Sequence, residues 1–128
     1  MQDGASYNMS SRNKNILTQA NACVSKGDNE GFLSFCTDDV IWNFVGDKIL
    51  TGKQAVREYM KEVYVDPPKF DVENLITEGY YVTAIGKISI KDIAGKPVDY
   101  SYCDVWKLRN GKMAELKAFV IEVKADEF

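Results

Sequence analysis

A short stretch near the carboxyl end of the chain places an acid among aromatic side chains. Period-two alternation along a predicted strand puts Tyr100, Tyr102, Asp104 and Trp106 on one face. Burial among aromatic rings disfavours the charged form of a carboxyl group, so we expect the pKa of Asp104 to lie above its usual value. An acid that keeps its proton near neutral pH can donate a hydrogen bond to a bound oxygen or move a proton. Asp104 is therefore the candidate catalytic residue; the alternative is a structural acid hydrogen-bonded to Tyr59, Tyr102 or a backbone amide.

The side chains that most nucleophilic and metal-assisted mechanisms require are scarce. The chain contains no histidine, which excludes Ser–His–Asp and Cys–His schemes and removes the commonest zinc ligand. Cys23, Cys36 and Cys103 are far apart in the sequence and set among apolar or small residues, so we interpret them as buried free thiols. We expect no metal site and no cofactor. Acid–base chemistry by Asp104 together with tyrosine hydroxyls is still open to this chain.

The turn of the last predicted hairpin decides which side chains lie across from Asp104. A two-residue turn at Asn110-Gly111 would place Lys117 opposite Asp104, whereas a three-residue turn with Gly111 as a bulge glycine shifts the partner strand by one residue. Placing charged side chains in an aromatic interior costs several kcal/mol per ion. We therefore predict the three-residue turn, which directs Lys117 outward. It places three apolar side chains on the Asp104 face: Leu116, Ala118 and Val120.

Composition and charge describe an ordinary globular chain. The 128 residues are 45% hydrophobic and 27% charged, with a net charge of -3. The lysines are scattered, so nucleic-acid binding is disfavoured. No window reaches the ~18 apolar residues of a membrane span, and residues 1–15 lack the apolar segment of a signal peptide. We therefore expect a cytoplasmic protein without membrane contact, with a polar leader over residues 1–9 and a single domain over residues 10–128.

Three helices are predicted in the first half of the chain. Ser10 or Ser11 is a suitable N-cap for a first helix that ends at Gly27, and Asp28 then caps a short second helix. A third helix is expected to begin at Thr51, which starts a capping-box pattern ahead of a stripe of apolar residues at helical spacing.

Strands make up most of the remaining chain. Alternation from residue 39 to 45 predicts a first strand that forms a hairpin with residues 48–50. Four further strand candidates follow, separated by turns at glycines or prolines: residues 70–77, 80–90, 97–108 and 113–123. Because the helices are mostly early and the strands then come in a run, the pattern predicts an α+β domain with an antiparallel sheet.

Four segments, in order, are similar to those of one known superfamily. They are residues 26–28 after the first helix, 35–40 leading into the first strand, 51–59 opening the third helix and 104–113 in the last hairpin. With them the chain resembles the nuclear transport factor 2-like (cystatin-like) superfamily, and more narrowly its SnoaL-like and ketosteroid-isomerase-like branch. The resemblance implies a cone-shaped α+β fold in which a curved antiparallel or mixed sheet wraps around three N-terminal helices and encloses a pocket. It also implies a homodimer.

The catalytic positions of the steroid isomerases can be compared with this sequence one at a time. The carboxylate base falls on Phe44, or on Asn43 if the gap is placed differently, and neither is an acid. The two pocket tyrosines fall on Ala20 and Met60, whereas the neutral acid that assists the oxyanion falls on Asp104. The resemblance therefore implies that the chain is not a standard ketosteroid isomerase.

Two other catalytic sets of the superfamily are also incomplete. The acid of the polyketide cyclases falls on Leu116 or Ala118, and the arginine of the epoxide hydrolases falls on Tyr102. Whether the chain is an enzyme is left open by these positions. If it is one, we expect cofactor-independent chemistry of the isomerase, lyase or hydrolase type, centred on Asp104.

Two hypotheses for function remain. In the first, the pocket binds an apolar small molecule that is anchored by Asp104. The ligand-binding side chains would then be Trp42, Phe44, Tyr59, Met60, Val63, Tyr102, Trp106, Leu116, Ala118 and Val120. In the second, these residues form only a core, and the chain is a non-catalytic dimerisation module. Its interface would use the outward side chains Cys103, Val105, Phe119 and Ile121.

Overall fold

The computed structural model describes residues 4–124, with side chains from residue 9 onward, and it confirms an α+β fold. Three helices and six strands follow one another along the chain. They are α1 (Gly4–Ser25), α2 (Asn29–Leu33), β1 (Cys36–Phe44), β2 (Lys48–Thr51), α3 (Lys53–Val63), β3 (Lys69–Glu78), β4 (Tyr81–Lys91), β5 (Pro97–Arg109) and β6 (Lys112–Glu122). Each strand lies within a few residues of its predicted bounds, because alternation of apolar and polar residues reports directly on a half-buried strand.

The six strands form one curved, unclosed sheet in the order β2-β1-β6-β5-β4-β3. The sheet is mixed, because β1 runs parallel to β6 and all other neighbours are antiparallel. Register shifts interrupt β1, β3 and the β5–β6 pair, and such bulges bend and twist a sheet. The three helices cover the concave face, where Leu17, Val56 and Met60 are almost fully buried against the strands. The cone-shaped fold with its mixed sheet is thereby confirmed.

The helix ends agree with the sequence at one junction and differ at two. Between α1 and α2, the Gly27 and Asp28 amides bond back to carbonyls of α1, and the Asp28 side chain accepts a hydrogen bond from Gly31 N. The predicted cap at Ser10 or Ser11 is wrong, because α1 already begins at Gly4. The predicted leader at residues 1–9 thus overlaps α1 from residue 4, and residues 1–3 lie outside the described part. No helix in residues 4–124 is long and apolar enough to span a membrane.

The start of α3 also differs from the prediction. Thr51 does not cap the helix, because it is the last residue of β2 and pairs with Ile41. The N-cap is Gly52, which has a φ of 92° and contributes no side-chain hydrogen bond. A left-handed φ is a conformation that glycine adopts without steric cost. The capping-box interpretation was therefore wrong by one residue, because strand pairing extends through Thr51.

The last hairpin has the predicted register around Asp104, but its turn and the position of its bulge differ from the prediction. The turn has two residues, Asn110 and Gly111, both with positive φ, so the predicted three-residue turn is wrong. The extra residue is Ala114, since Leu108 pairs with Met113 but Lys107 pairs with Glu115. Met113 and Ala114 are both buried, which a regular alternating strand would not allow. This bulge restores the expected facing, with Asp104 opposite Ala118 and Lys117 exposed on the outer face.

Candidate functional site

A cavity of about 1000 Å³ lies between the concave face of the sheet and the helices. Its wall on the sheet side consists of side chains from β1, β3, β4, β5 and β6, and its opposite wall comes from α1, α2, α3 and the segment after α3. The lining is mainly aromatic and aliphatic, as in most small-molecule sites. The volume is large enough for a ligand of drug-like size.

Small side chains create the open space above Asp104. On the sheet, Asp104 pairs with Ala84 of β4 on one side and with Ala118 of β6 on the other. Phe44 of β1 pairs with Ala118, so it is the next residue across the sheet in the row formed by Ala84, Asp104 and Ala118. Two neighbouring methyl groups leave the Asp104 carboxyl uncovered on the concave face, so a bound molecule can approach it from the cavity.

Burial dominates the electrostatics of Asp104. It raises the pKa of the carboxyl group from 3.8 to about 7, because desolvation penalises the charged form. The side chain nevertheless keeps partial exposure toward the cavity. Asp104 forms no hydrogen bond and no ion pair within residues 4–124, so the structural partners considered above are not found there. The group can therefore act as a donor below neutral pH and as an acceptor above it.

Tyr64 and Tyr102 lie near this acid, and no hydrogen bond joins either hydroxyl to it in the part of the chain that the structure describes. Burial raises the pKa of Tyr64 and of Tyr102 well above the ordinary value, and the nearby Asp104 carboxylate adds to both shifts. Burial likewise raises the pKa of Tyr59 to about 12. These hydroxyls remain protonated at neutral pH, so they can serve a ligand as hydrogen-bond donors.

Trp42 is the centre of an aromatic cluster at the inner end of the cavity. Its ring meets Phe32, Phe44, Tyr59 and Trp106 at centroid distances of 5.7, 5.9, 5.9 and 6.3 Å, each close to perpendicular. Edge-to-face contacts of this kind are favourable and fix ring orientations. The indole Nε1 of Trp42 is buried and has no hydrogen-bond partner within the described residues.

Nearly all of the predicted ligand-binding residues line this cavity. Met60 is the exception, because it is fully buried between α3 and the sheet and does not reach the open space. The remaining predicted residues meet there: Trp42, Phe44, Tyr59, Val63, Tyr102, Asp104, Trp106, Leu116, Ala118 and Val120. That a ligand contacts them stays a prediction.

Several lining residues were not predicted from the sequence. Tyr64 lies four residues after Met60, so the helical spacing of the α3 stripe already contained a signal for it. Phe70 and Ile88 come from the paired strands β3 and β4, and Asn21 comes from α1. For these three residues, the sequence pattern predicted the strand or helix that contains them but not their position at the cavity.

The cavity opens between the end of α3 and the β4–β5 hairpin. Val65 on one side and Ile93 on the other are strongly exposed lining residues. An ion pair joins the same two segments, with Lys91 Nζ 3.2 Å from an Asp66 carboxylate oxygen. Within residues 4–124, no three Cys, Asp or Glu side chains are grouped so as to hold a metal ion.

A family model described as the SnoaL-like domain matches residues 17–116. The chain belongs to this family. The matched region runs from Leu17 in α1 to Leu116 in β6, so it includes most of the cavity lining, while the lining residues Ala118 and Val120 lie beyond it. No curated protein matches the SnoaL-like chain.

Solved structures share the fold of this SnoaL-like domain at low sequence identity. The epoxide hydrolase/cyclase-like enzyme SalBIII, described in pyran ring formation in the polyether salinomycin, has a TM-score of 0.80 and 20% identity over 86% of this chain and 91% of its own. A nuclear transport factor 2-like protein of unknown function from Burkholderia pseudomallei has a TM-score of 0.76 and 16% identity, covering 84% and 88%. TerC, co-crystallised with polyporic acid, has a TM-score of 0.74 and 19% identity, covering 84% and 90%.

Proposed function

We propose that this SnoaL-like domain binds an apolar small molecule in its aromatic cavity, with Asp104 as the polar anchor. One observation supports the proposal above all. An acid buried at the wall of a cavity of about 1000 Å³ has no protein partner within residues 4–124. Buried polar groups in proteins are normally satisfied, so an unpaired carboxyl that faces open space fits a ligand contact.

The relatives make small-molecule chemistry plausible for this fold. TerC was crystallised with polyporic acid, and SalBIII is an epoxide hydrolase/cyclase-like enzyme. By analogy, the present chain would carry out acid–base chemistry of the isomerase, lyase or hydrolase type, without a cofactor. Asp104, whose pKa is about 7, would act as the general acid or base near neutral pH. Phe44 stands where a second carboxylate would be needed, so any catalysis would depend on Asp104 and tyrosine hydroxyls.

A thermal-shift experiment tests the binding proposal. The wild type and Asp104→Asn are screened against a panel of apolar ligands that bear one oxygen or nitrogen. A ligand at about one hundred times its Kd adds about 3 kcal/mol to stability, which is easily detected. Ligands are expected to stabilise the wild type and to have less effect on Asp104→Asn. Glu115→Gln, which alters an exposed acid on the opposite face, is the control and should respond like the wild type. Absence of any response in the wild type contradicts the proposal.

The outer face of the sheet favours a second, compatible role in self-association. Phe119 and Ile121 are 42% and 66% exposed there, beside the half-buried Cys103 and Val105. An apolar patch in the middle of a sheet face is typical of an interface, and a second copy of this chain would bury it by symmetry. We therefore propose a homodimer, and a cytoplasmic location stays a prediction.

Sedimentation velocity tests the dimer. Ile121→Glu is expected to convert the dimer to a monomer, because it places a charge in the apolar contact. Ile93→Glu is the control, since Ile93 is exposed at the β4–β5 hairpin and lies away from the sheet face. A wild type that sediments as a monomer at all concentrations contradicts the dimer.

A further inference from the structure

The charged side chains around the cavity have a strong bias in sign. Among the described lining residues, five are acids: Asp47, Glu62, Asp66, Asp92 and Asp104. One is a cation, Lys91, and its ammonium group is paired with Asp66. A cleft lined by charges of one sign concentrates ligands of the opposite sign and repels those of the same sign. The cavity therefore disfavours carboxylates and phosphates and attracts cations.

The aromatic cluster provides surfaces that bind cations. Trp42 and Trp106 stand at 77° to each other, with centroids 6.3 Å apart, and both line the cavity. Ring faces carry partial negative charge, and tryptophan is the strongest side chain in cation–π contacts. An ammonium group already uses one ring of the cluster, since Lys48 Nζ lies 5.6 Å from the centroid of Tyr59. The rings thus suit an organic ammonium better than they suit an anion.

Asp104 supplies a counter-ion beside these rings. It lies two residues before Trp106 on the same face of β5, a separation of about 7 Å along the strand. No cation within residues 4–124 is paired with it. A buried carboxylate is costly unless a positive charge accompanies it. A ligand ammonium placed between Asp104 and the ring of Trp106 would satisfy both groups.

We propose that the cavity takes an apolar ligand bearing a positively charged amine, with Asp104 as counter-ion and the rings of Trp42 and Trp106 around the ammonium group. This inference rests on the proposed binding function and narrows its ligand class. It also gives the acids at the opening a role, because they would draw the cation toward the cavity. Their exposure leaves them screened by salt, so they contribute less to affinity than Asp104.

The binding of a permanent cation should depend on pH through Asp104. The titratable side chains that face it are Tyr102 on its own strand and Tyr64 after α3, and both keep their protons at neutral pH. The neighbours from β1, β4 and β6 are Phe44, Ala84 and Ala118, which do not titrate. A quaternary ammonium does not titrate either. Its affinity should therefore rise as the pH passes upward through the pKa of Asp104.

Three probes of similar size separate charge from shape. Benzyltrimethylammonium is the cation, neopentylbenzene is its neutral carbon isostere and phenylacetate is an anion. The two tryptophan indole N–H signals in an NMR spectrum report on binding, because both tryptophans line the cavity. At pH 8 we expect the cation to bind the wild type about tenfold more tightly than the isostere, and phenylacetate not to bind. At pH 5.5 this preference should shrink.

Two variants identify the group responsible. Asp104→Asn, which keeps the shape of the side chain, should reduce the cation preference below about threefold and remove its pH dependence. Glu115→Gln, which removes an exposed acid on the outer face of the sheet, should retain the preference. Equal or tighter binding of the isostere or of phenylacetate by the wild type overturns the inference, as does a preference that survives in Asp104→Asn. If none of the probes binds while an apolar ligand of the thermal-shift panel does, the inference fails and the proposed function stands; if nothing binds in either experiment, both fail.

Discussion

Replacing Asp104 by asparagine should stabilise the protein above pH 7 and have little effect near pH 4. Burial favours the protonated carboxyl, so its pKa is about 7 in the folded state against 3.8 for the free group. The folded state therefore binds more protons than the unfolded state between these values, and stability is lost as the pH rises through that window. At about 1.4 kcal/mol per unit of pKa, the loss approaches 4 kcal/mol above pH 7. Asparagine has no charge and avoids this loss.

The comparison is made by urea unfolding of the wild type and Asp104→Asn at several pH values, followed by tryptophan fluorescence. All other titrating groups are shared, so their contributions cancel in the difference between the two free energies of unfolding. That difference should grow in favour of asparagine by about 3 kcal/mol from pH 5 to pH 8. A difference that stays constant over this range refutes the reasoning. NMR titration of the Asp104 carboxyl then checks the pKa directly.

Three further outcomes are expected. Asp39→Asn should show the opposite trend, because the hydrogen bond that Asp39 accepts from Arg109 lowers the pKa of Asp39. The variant should be less stable than the wild type at neutral pH, and this difference should disappear when urea unfolding is repeated at acid pH. Gly86→Ala should lower the free energy of unfolding, measured by urea unfolding, by about 2 kcal/mol or more, because the added Cβ would collide with the Asp71 carbonyl oxygen. An unchanged free energy of unfolding contradicts the predicted collision. Ala118→Leu should fill the space beside Asp104 and abolish ligand-induced thermal shifts, while circular dichroism shows that the unliganded protein is still folded. Thermal shifts that are retained in this variant contradict a ligand position beside Ala118.

Alternation along the strands was sufficient to predict most of the fold. Apolar and polar residues that alternate with period two reveal both the strand and its buried face, and this is why β3 to β6 lie close to their predicted bounds. The bounds that differ depend on distant contacts. Thr51 continues β2 because β1 offers it a partner, and Ala114 forms a bulge because Met113 is held beside Cys36 of β1. A local sequence pattern does not indicate which distant residues will pair with a strand.

Part of the candidate site could also be predicted from the sequence. The face shared by Tyr102, Asp104 and Trp106 was predicted from spacing, and the desolvation argument gave the correct facing of Lys117. The same argument did not reveal the turn, because a bulge at Ala114 and a bulge at Gly111 shift the strand equally. Met60 was predicted to contact the ligand, at the position where the resemblance places a pocket tyrosine, yet it is fully buried between α3 and the sheet and does not line the cavity.

The sequence by itself determined which side chains share a face of the sheet and which chemistries are excluded, because strand periodicity and the absence of histidine are properties of the chain alone. Only the tertiary structure decided that Asp104 is flanked by two alanines, lacks a partner within residues 4–124 and faces a cavity of about 1000 Å³. These properties depend on how segments far apart in the chain surround one carboxyl group. The desolvation of the Asp104 carboxyl depends on that three-dimensional environment, and local periodicity does not predict its extent.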